Sequence, residues 1–561
     1  FYAVARHLGV LESLGVLDLK KSSASVLALA LLAAGCSKVS QTGEPGGRVN
    51  SFTQPHVLRY ADAGDINTLN PHLGQAIYIG HIASLTMAWL IKWDEHNNPY
   101  PELATEVPTQ ANGGVSKDGL TITYHLRKGV KWADGAPFDA DDVVWSTKVV
   151  LNPANNEVGR QGWDQIAKID EPDKYTVVYH LKKPYSPFIE TFFSTAAANP
   201  CILPKHLLAQ YPNINNVPYN AKPVGIGPFK VERWDREQQV VLVANPLYFR
   251  GRPKLEKIIY KILPDRNTLL SQMEAKDVDM WDLVPANYVA RVAALQPYAV
   301  IQQPSYVWDH LDMNVTHPGL NDPIVRAALR LAWNRKARLE KIGHGVGTLS
   351  ESPTPLGAPY EVKVPLVPYD PDRANSILDQ DGWKLGPDGV RAKNGVRLSF
   401  RFAAIAGLQD VDDGIELLRA DLKRIGVEIA VQHYAAATYF APLQEHGVLY
   451  SDRWDLTGIA WQNEALGDYS PEYACNAFPP SGQNDVRWCN RRADAAMHAF
   501  YARYDGAQRN PEVKTVVDEF VKDVPVIVQD QRKNVYAINK DLKHFHPNSI
   551  SPFDNFMDVD I

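Results

Sequence analysis

Apolar and polar residues alternate with period two at Leu120, Ile122, Tyr124 and Leu126, at Tyr175, Val177, Tyr179 and Leu181, and at Ile258, Tyr260 and Ile262. A period of two puts every other side chain on the same face of an extended chain, so these runs predict half-buried strands of mixed, partly antiparallel sheets. Helical spacing appears at Ile324 to Ile342, at Ile415 to Ile425 and at Val513 to Val521, where Val513, Val516, Val517 and Phe520 share one face. Leu418, Leu422 and Ile425 are followed across Gly426 by Val427, Ile429 and Val431, a helix handing over to a strand. Asp139 ahead of ADDVVWSTKVVL reads as a helix N-cap, with Asp142 completing a capping box. The class these elements predict is α/β with α+β parts.

Composition sharpens this picture by exclusion. At 561 residues the chain is longer than one hydrophobic core sustains, so several domains are expected. With 45% hydrophobic and 22% charged residues it is neither disordered nor polytopic. A balance of 58 Lys+Arg against 64 Asp+Glu, net −6, supplies no basic field for nucleic acid.

The most apolar stretch, Val26 to Ala34, is far shorter than the ~20 residues needed to span a bilayer. Lys20 and Lys21 precede it and small residues lead to Cys36, the layout of an export signal. LLAAGC, Leu31 to Cys36, resembles a bacterial lipoprotein signal, which implies cleavage after residue 35 and a lipid on Cys36. Residues 36–54 are polar and rich in Ser, Thr and Gly, as suits a flexible tether.

No H-E-x-x-H, G-x-S-x-G, Walker A or C-x-x-C motif is present, so the chain lacks the minimal parts of the corresponding enzymes. Gly343 to Thr348 is glycine-rich but follows a helical pattern and contains no Lys. His544 and His546 would share one face of a strand, without Cys or carboxylate partners nearby in sequence. No metal, cofactor or catalytic residue is assigned. Of the four cysteines, Cys475 and Cys489 stand 14 positions apart and are placed to bridge in an exported protein. Cys201, in the apolar context NPCILP, reads as a buried, inert thiol.

Several blocks in order carry a family resemblance: Thr68 to Pro71, Pro101 to Ala104, Asp118 to Arg127, Gly129 to Gly135, Asp139 to Val143, Pro223 to Phe229, Asn245 to Gly251, Asn321 to Leu329, Tyr369 to Pro371, Gly382-Trp383 and Ile425 to Val427. Together they resemble the family 5 extracytoplasmic solute-binding proteins, receptors of bacterial ABC importers for dipeptides, oligopeptides and some nickel or sugar ligands. Ile226 stands where Thr is usual, and Asn334-Arg335 replaces a common Asp-Arg pair.

The resemblance implies two lobes that close over a ligand, with a peripheral subdomain in the first. Lobe one would take 55–99, 220–305 and 525–561, the peripheral subdomain 100–219, and lobe two 306–524. It also puts Trp461 at the wall of the ligand cavity and Glu464 where peptide-binding members carry the acid that pairs with the ligand ammonium; Asp468 is a second candidate. The loop from Cys475 to Cys489 resembles a disulfide loop of peptide receptors. The expected partners are a peptide or similar small polar solute and the permease in the membrane, with the lipid as the protein's only membrane contact. A nickel chelate or an oligosaccharide is the alternative ligand, and an exported hydrolase the rival of a different class.

Overall fold

Two long strands, Tyr298–Met313 and Val526–Asn539, run antiparallel through the middle of an eleven-stranded sheet. With 16 and 14 residues, each spans roughly 50 Å. On one side of the pair lie Leu456–Gln462, Ser399–Ile405 and Glu428–Tyr434, in that order outward. On the other lie Met280–Trp281, Val57–Asp62, Lys257–Ile262, Gln239–Ala244 and Phe229–Asp235. Thr348–Leu349 adds a short pairing to Val526–Asn539. The architecture is two-lobed and mixed α/β, and these two strands belong to the sheet of both lobes.

This computed structural model describes residues 50–561 apart from 65, 75, 196–199, 442 and 551. The leader at 1–35, Cys36 and most of the stretch read as a tether lie outside the described residues. The end of that stretch is docked: the Asn50 amide donates to Asp541 Oδ2 at 2.9 Å and Thr53 Oγ1 donates to the same oxygen at 2.6 Å.

The three predicted strands are present as Thr121–His125, Thr176–Leu181 and Lys257–Ile262. The first two form a small antiparallel sheet with Ile166–Asp173, backed by helix Ala140–Leu151. Asp139 caps that helix and Asp142 closes the capping box. Asp142 also takes the Trp132 indole N–H at 3.1 Å, and burial lifts its carboxyl to about 6.

The helical stretch from 324 to 342 is two helices, Pro323–Ala332 and Arg335–Lys341. Trp333 between them is extended and turned into the core, and the Asn334 side chain accepts the Ala337 amide to start the second helix. Apolar spacing carries through the break, so periodicity alone does not reveal it. His544 and His546 do not share a strand, since His544 has a left-handed φ of 61° in a turn.

Separate cores fill the two lobes, around Leu58, Tyr60, Ile258 and Tyr260 in one and Leu329, Phe400, Leu418 and Leu422 in the other. A third core runs without interruption from the small sheet into helices Arg491–Phe500 and Gly506–Asp523. The two lobes are thus joined by strands, whereas the small sheet and the late helices are joined by packing.

Candidate functional site

Between Pro304 and Trp308 the first long strand carries two more residues than its partner, because Pro304 faces Lys533 while Trp308 faces Gln531. Such a bulge bends a strand and re-aims its side chains. Here it buries Tyr306 and sets Trp308 directly opposite Trp461. Beyond Trp461 the chain leaves the sheet and turns, with the Asn463 amide donating to Tyr306 O at 2.9 Å and Tyr360 Oη donating to Glu464 O at 2.6 Å. The turn requires Gly467, at φ +80°, where a Cβ would fall 2.7 Å from the Tyr360 ring.

This turn gathers Trp308, Trp461, Glu464, Asp468, Tyr469, Glu472 and Tyr473 around one cavity. The resemblance named three of these, Trp461, Glu464 and Asp468, and the structure brings all three together. Glu472 continues the spacing of four from Glu464 through Asp468, a signal present in the sequence. Glu190 is the residue sequence could not supply. It comes from the short helix Phe188–Thr191 across the cleft, and its Oε2 accepts the Leu466 amide at 2.9 Å.

Four carboxyls therefore converge where water is scarce. Burial pushes Glu464 up to about 7, reinforced by Asp468. Asp468 is also raised by burial, which the hydrogen bond from Ser470 partly offsets. Glu190 and Glu472 lie well above the usual carboxylate range, first from burial and then from the charge of Glu464. A nearby cation is Arg509, held below its usual value by its own burial and supported by Glu190. No side chain among the described residues donates a hydrogen bond to the Glu464 or Glu472 carboxylate. The hydroxyls of Tyr469 and Tyr473, both buried, also lack partners among the described residues. The arrangement is an acid-rich hollow that a cation with N–H groups would satisfy.

The cleft is shut in this structure. The space among these side chains is about 10 Å³, room for one water. Across the gap the Ser186 amide donates to Tyr501 O at 2.9 Å, Ser186 Oγ donates to Phe500 O at 2.8 Å, and Tyr504 Oη donates to Gly119 O at 2.9 Å. Gly119, at φ +70°, lets Tyr504 approach, since a Cβ there would lie 2.4 Å from its hydroxyl.

Cys475 and Cys489 are bonded to each other, and the Cys475 amide is held by Asp494. Cys201 is a buried free thiol whose carbonyl oxygen lies 2.8 Å from His72 Nε2. Among the described residues one group, Asp62, His81 and Asp282, has side chains close enough to share a metal ion, and it lies in the first lobe, apart from the cleft acids. Also among them, no helix is long and apolar enough to cross a membrane.

The sequence profile described as bacterial extracellular solute-binding proteins, family 5, middle, matches residues 98–474. The oligopeptide-binding protein AppA of Bacillus subtilis is 26% identical over 477 residues, 83% of this chain and 84% of its own length. Its solved structure, in complex with a nonapeptide, superposes with a TM-score of 0.69 at 24% identity, covering 90% of this chain and 99% of that one. NikZ from Campylobacter jejuni in complex with Ni(L-His) superposes at 0.72 with 22% identity, covering 91% and 100%. These structural likenesses bear on fold, and the profile bears on descent: the chain belongs to the bacterial extracellular solute-binding proteins of family 5.

Proposed function

We propose that this protein is the solute receptor of an ABC importer, and that it captures peptides with a free amino terminus. The observation that carries this reading is the set of acids at Glu464, Asp468, Glu472 and Glu190, assembled from opposing walls of the cleft with Arg509 as their nearby cation. A ligand ammonium offers a positive charge and three donors, and an acid already desolvated gains more from it than a solvated one. Trp461 and Trp308 form an aromatic floor for the adjoining peptide bond. The peptide bound by AppA supports the same reading.

In this proposal the lobes divide as 55–99, 220–305 and 525–561 against 306–524, with 100–219 as the peripheral part of lobe one. The register break at Pro304 to Trp308 is where they bend. The protein works outside the cytoplasm, tethered by a lipid on Cys36, and makes and breaks no bonds. Hinge closure is the repertoire of periplasmic receptors.

Calorimetry with matched peptides tests the reading. Free-amine peptides bind, N-acetylated ones bind weakly, and Glu464→Gln costs the free-amine series more than a hundredfold, since removing one partner of a buried charge pair costs about 3–5 kcal/mol. Equal affinities for free and acetylated peptides would overturn it and favour a metal chelate, of the kind NikZ binds, or an oligosaccharide. Product formed from the peptides would favour the hydrolase.

A further inference from the structure

Asp62 ends strand Val57–Asp62 and Asp282 directly follows strand Met280–Trp281. These strands pair in parallel with Tyr60 facing Met280 and Ala61 facing Trp281, so the register carries the two aspartates to neighbouring positions at the strand ends. Helix Ile77–Thr86 brings His81 against both. His81 Nδ1 lies 3.1 Å from Asp282 Oδ2, 3.8 Å from Asp62 Oδ2 and 3.1 Å from Tyr60 Oη. All three residues are buried, at 2%, 4% and 1% exposure for Asp62, His81 and Asp282.

Two features separate this group from an ordinary buried ion pair. Neither oxygen of Asp282 receives a hydrogen bond of proper geometry, although both are fully buried. Such orphaned acceptors are costly and rare. The charge also does not close. Among the described residues His81 is the only basic side chain within ion-pair distance of either aspartate, so a protonated imidazole balances one carboxylate and leaves the other to be met by a proton or by a further cation. Tyr60 and Tyr260 each donate to Asp62 Oδ2 at 3.3 Å, but they are neutral.

We propose that Asp62, His81 and Asp282 form a structural site for a divalent transition metal of the zinc type, with the Tyr60 hydroxyl at the fourth position. A divalent ion with a neutral imidazole cancels both aspartates and gives Asp282 its missing partner. Bonds of about 2.0–2.2 Å in tetrahedral array place donors roughly 3.3–3.6 Å apart. The separations of 3.1, 3.3 and 3.8 Å about His81 Nδ1 and Asp62 Oδ2 bracket that edge. One imidazole nitrogen with oxygen ligands suits zinc, and four protein donors without an open position mark a structural role. The ion would clamp the first strand of lobe one to the segment that pairs with the long strand Val526–Asn539.

The test uses the full mature chain, unfolded in guanidinium with a chelator and refolded with or without zinc. Elemental analysis after gel filtration should find about one retained zinc, with a higher melting temperature than the zinc-free sample. His81→Gln and Asp282→Asn should retain less than about a tenth of that, while refolding to the same circular dichroism spectrum. If either variant fails to fold, the cobalt form of the unmutated protein decides. Intense visible absorption of tetrahedral cobalt, with anomalous scattering located between Asp62 and Asp282, supports the site; a weak octahedral spectrum, or cobalt elsewhere, overturns it. No retained zinc, or a full equivalent in both folded variants, also overturns it and leaves the triad sharing a proton.

Discussion

Asp279 and Glu464 are both acids beside the sheet, but their surroundings differ in every partner. Asp279 is closed: Arg59 reaches it with Nε and Nη2 at 2.8 Å each, the Arg59 amide donates at 3.0 Å, and Asn539 Nδ2 donates at 2.9 Å. Glu464 has no such set, and its nearest charged neighbours are further acids. A fold that satisfies one acid this fully and leaves another this poor in donors has separated two uses of buried charge. In the first lobe, charge fastens strands. In the cleft, on the proposed reading, it is held back for a ligand ammonium.

The largest effect should break the fastened side. Asp279→Ala strands a buried guanidinium and should lower the unfolding free energy by about 3–5 kcal/mol in urea titration. Glu464→Gln should leave stability equal or higher; a comparable loss there would erase the distinction between the two regions. Next comes the loop beside the cleft acids. Replacing Cys475 and Cys489 together by serine should cost about 3 kcal/mol on the chain-entropy account. It should also weaken peptide binding, because the bridge braces the segment after Glu472. Non-reduced peptide mapping should find Cys475 linked to Cys489 and Cys201 as a thiol.

A smaller effect is set by pH. The Glu464 carboxyl sits at about 7 in the folded protein, above its unfolded value, so the folded state holds more protons between the two. Stability of the unliganded protein from this group is therefore present at low pH and lost as pH rises toward 7 and beyond. An ammonium reverses the preference, since it selects the ionised acid. Affinity for a free-amine peptide should rise from pH 5.5 to 7.5 by at most about tenfold per unit, and Glu464→Gln should flatten the rise. Calorimetry at several pH values reads both. Smallest is Asp139→Ala, which removes a helix cap and should cost about 1 kcal/mol without altering affinity, a control on a helix that carries neither Asp279 nor Glu464.

What sequence could reveal followed from range. The strands at 121–125, 176–181 and 257–262 and the cap at Asp139 rest on neighbours within a few residues, and their patterns were legible. Trp461, Glu464 and Asp468 came from the family resemblance of one short stretch of chain, which a single turn carries. Glu190 did not, since it reaches Leu466 from 276 positions away. Asp62, His81 and Asp282 were invisible for the same reason: a parallel register joins two of them, and no local spacing records that pairing. The break at Trp333 was missed for a different cause, because the same apolar period serves one bent pair of helices as well as one straight helix.

The contacts of Ser186 and Tyr504 across the shut cleft bear finally on time. On the hinge-closing proposal they form only when the lobes meet, so they favour the closed form whether or not a solute lies inside. Where the closed form dominates both populations, loosening them speeds entry and escape alike and leaves the dissociation constant nearly unchanged. Tyr504 then sets how long a captured molecule waits, not how tightly it is held. A receptor tuned this way can be matched to the turnover of its transporter by one hydroxyl at the rim, without touching the residues that choose the cargo.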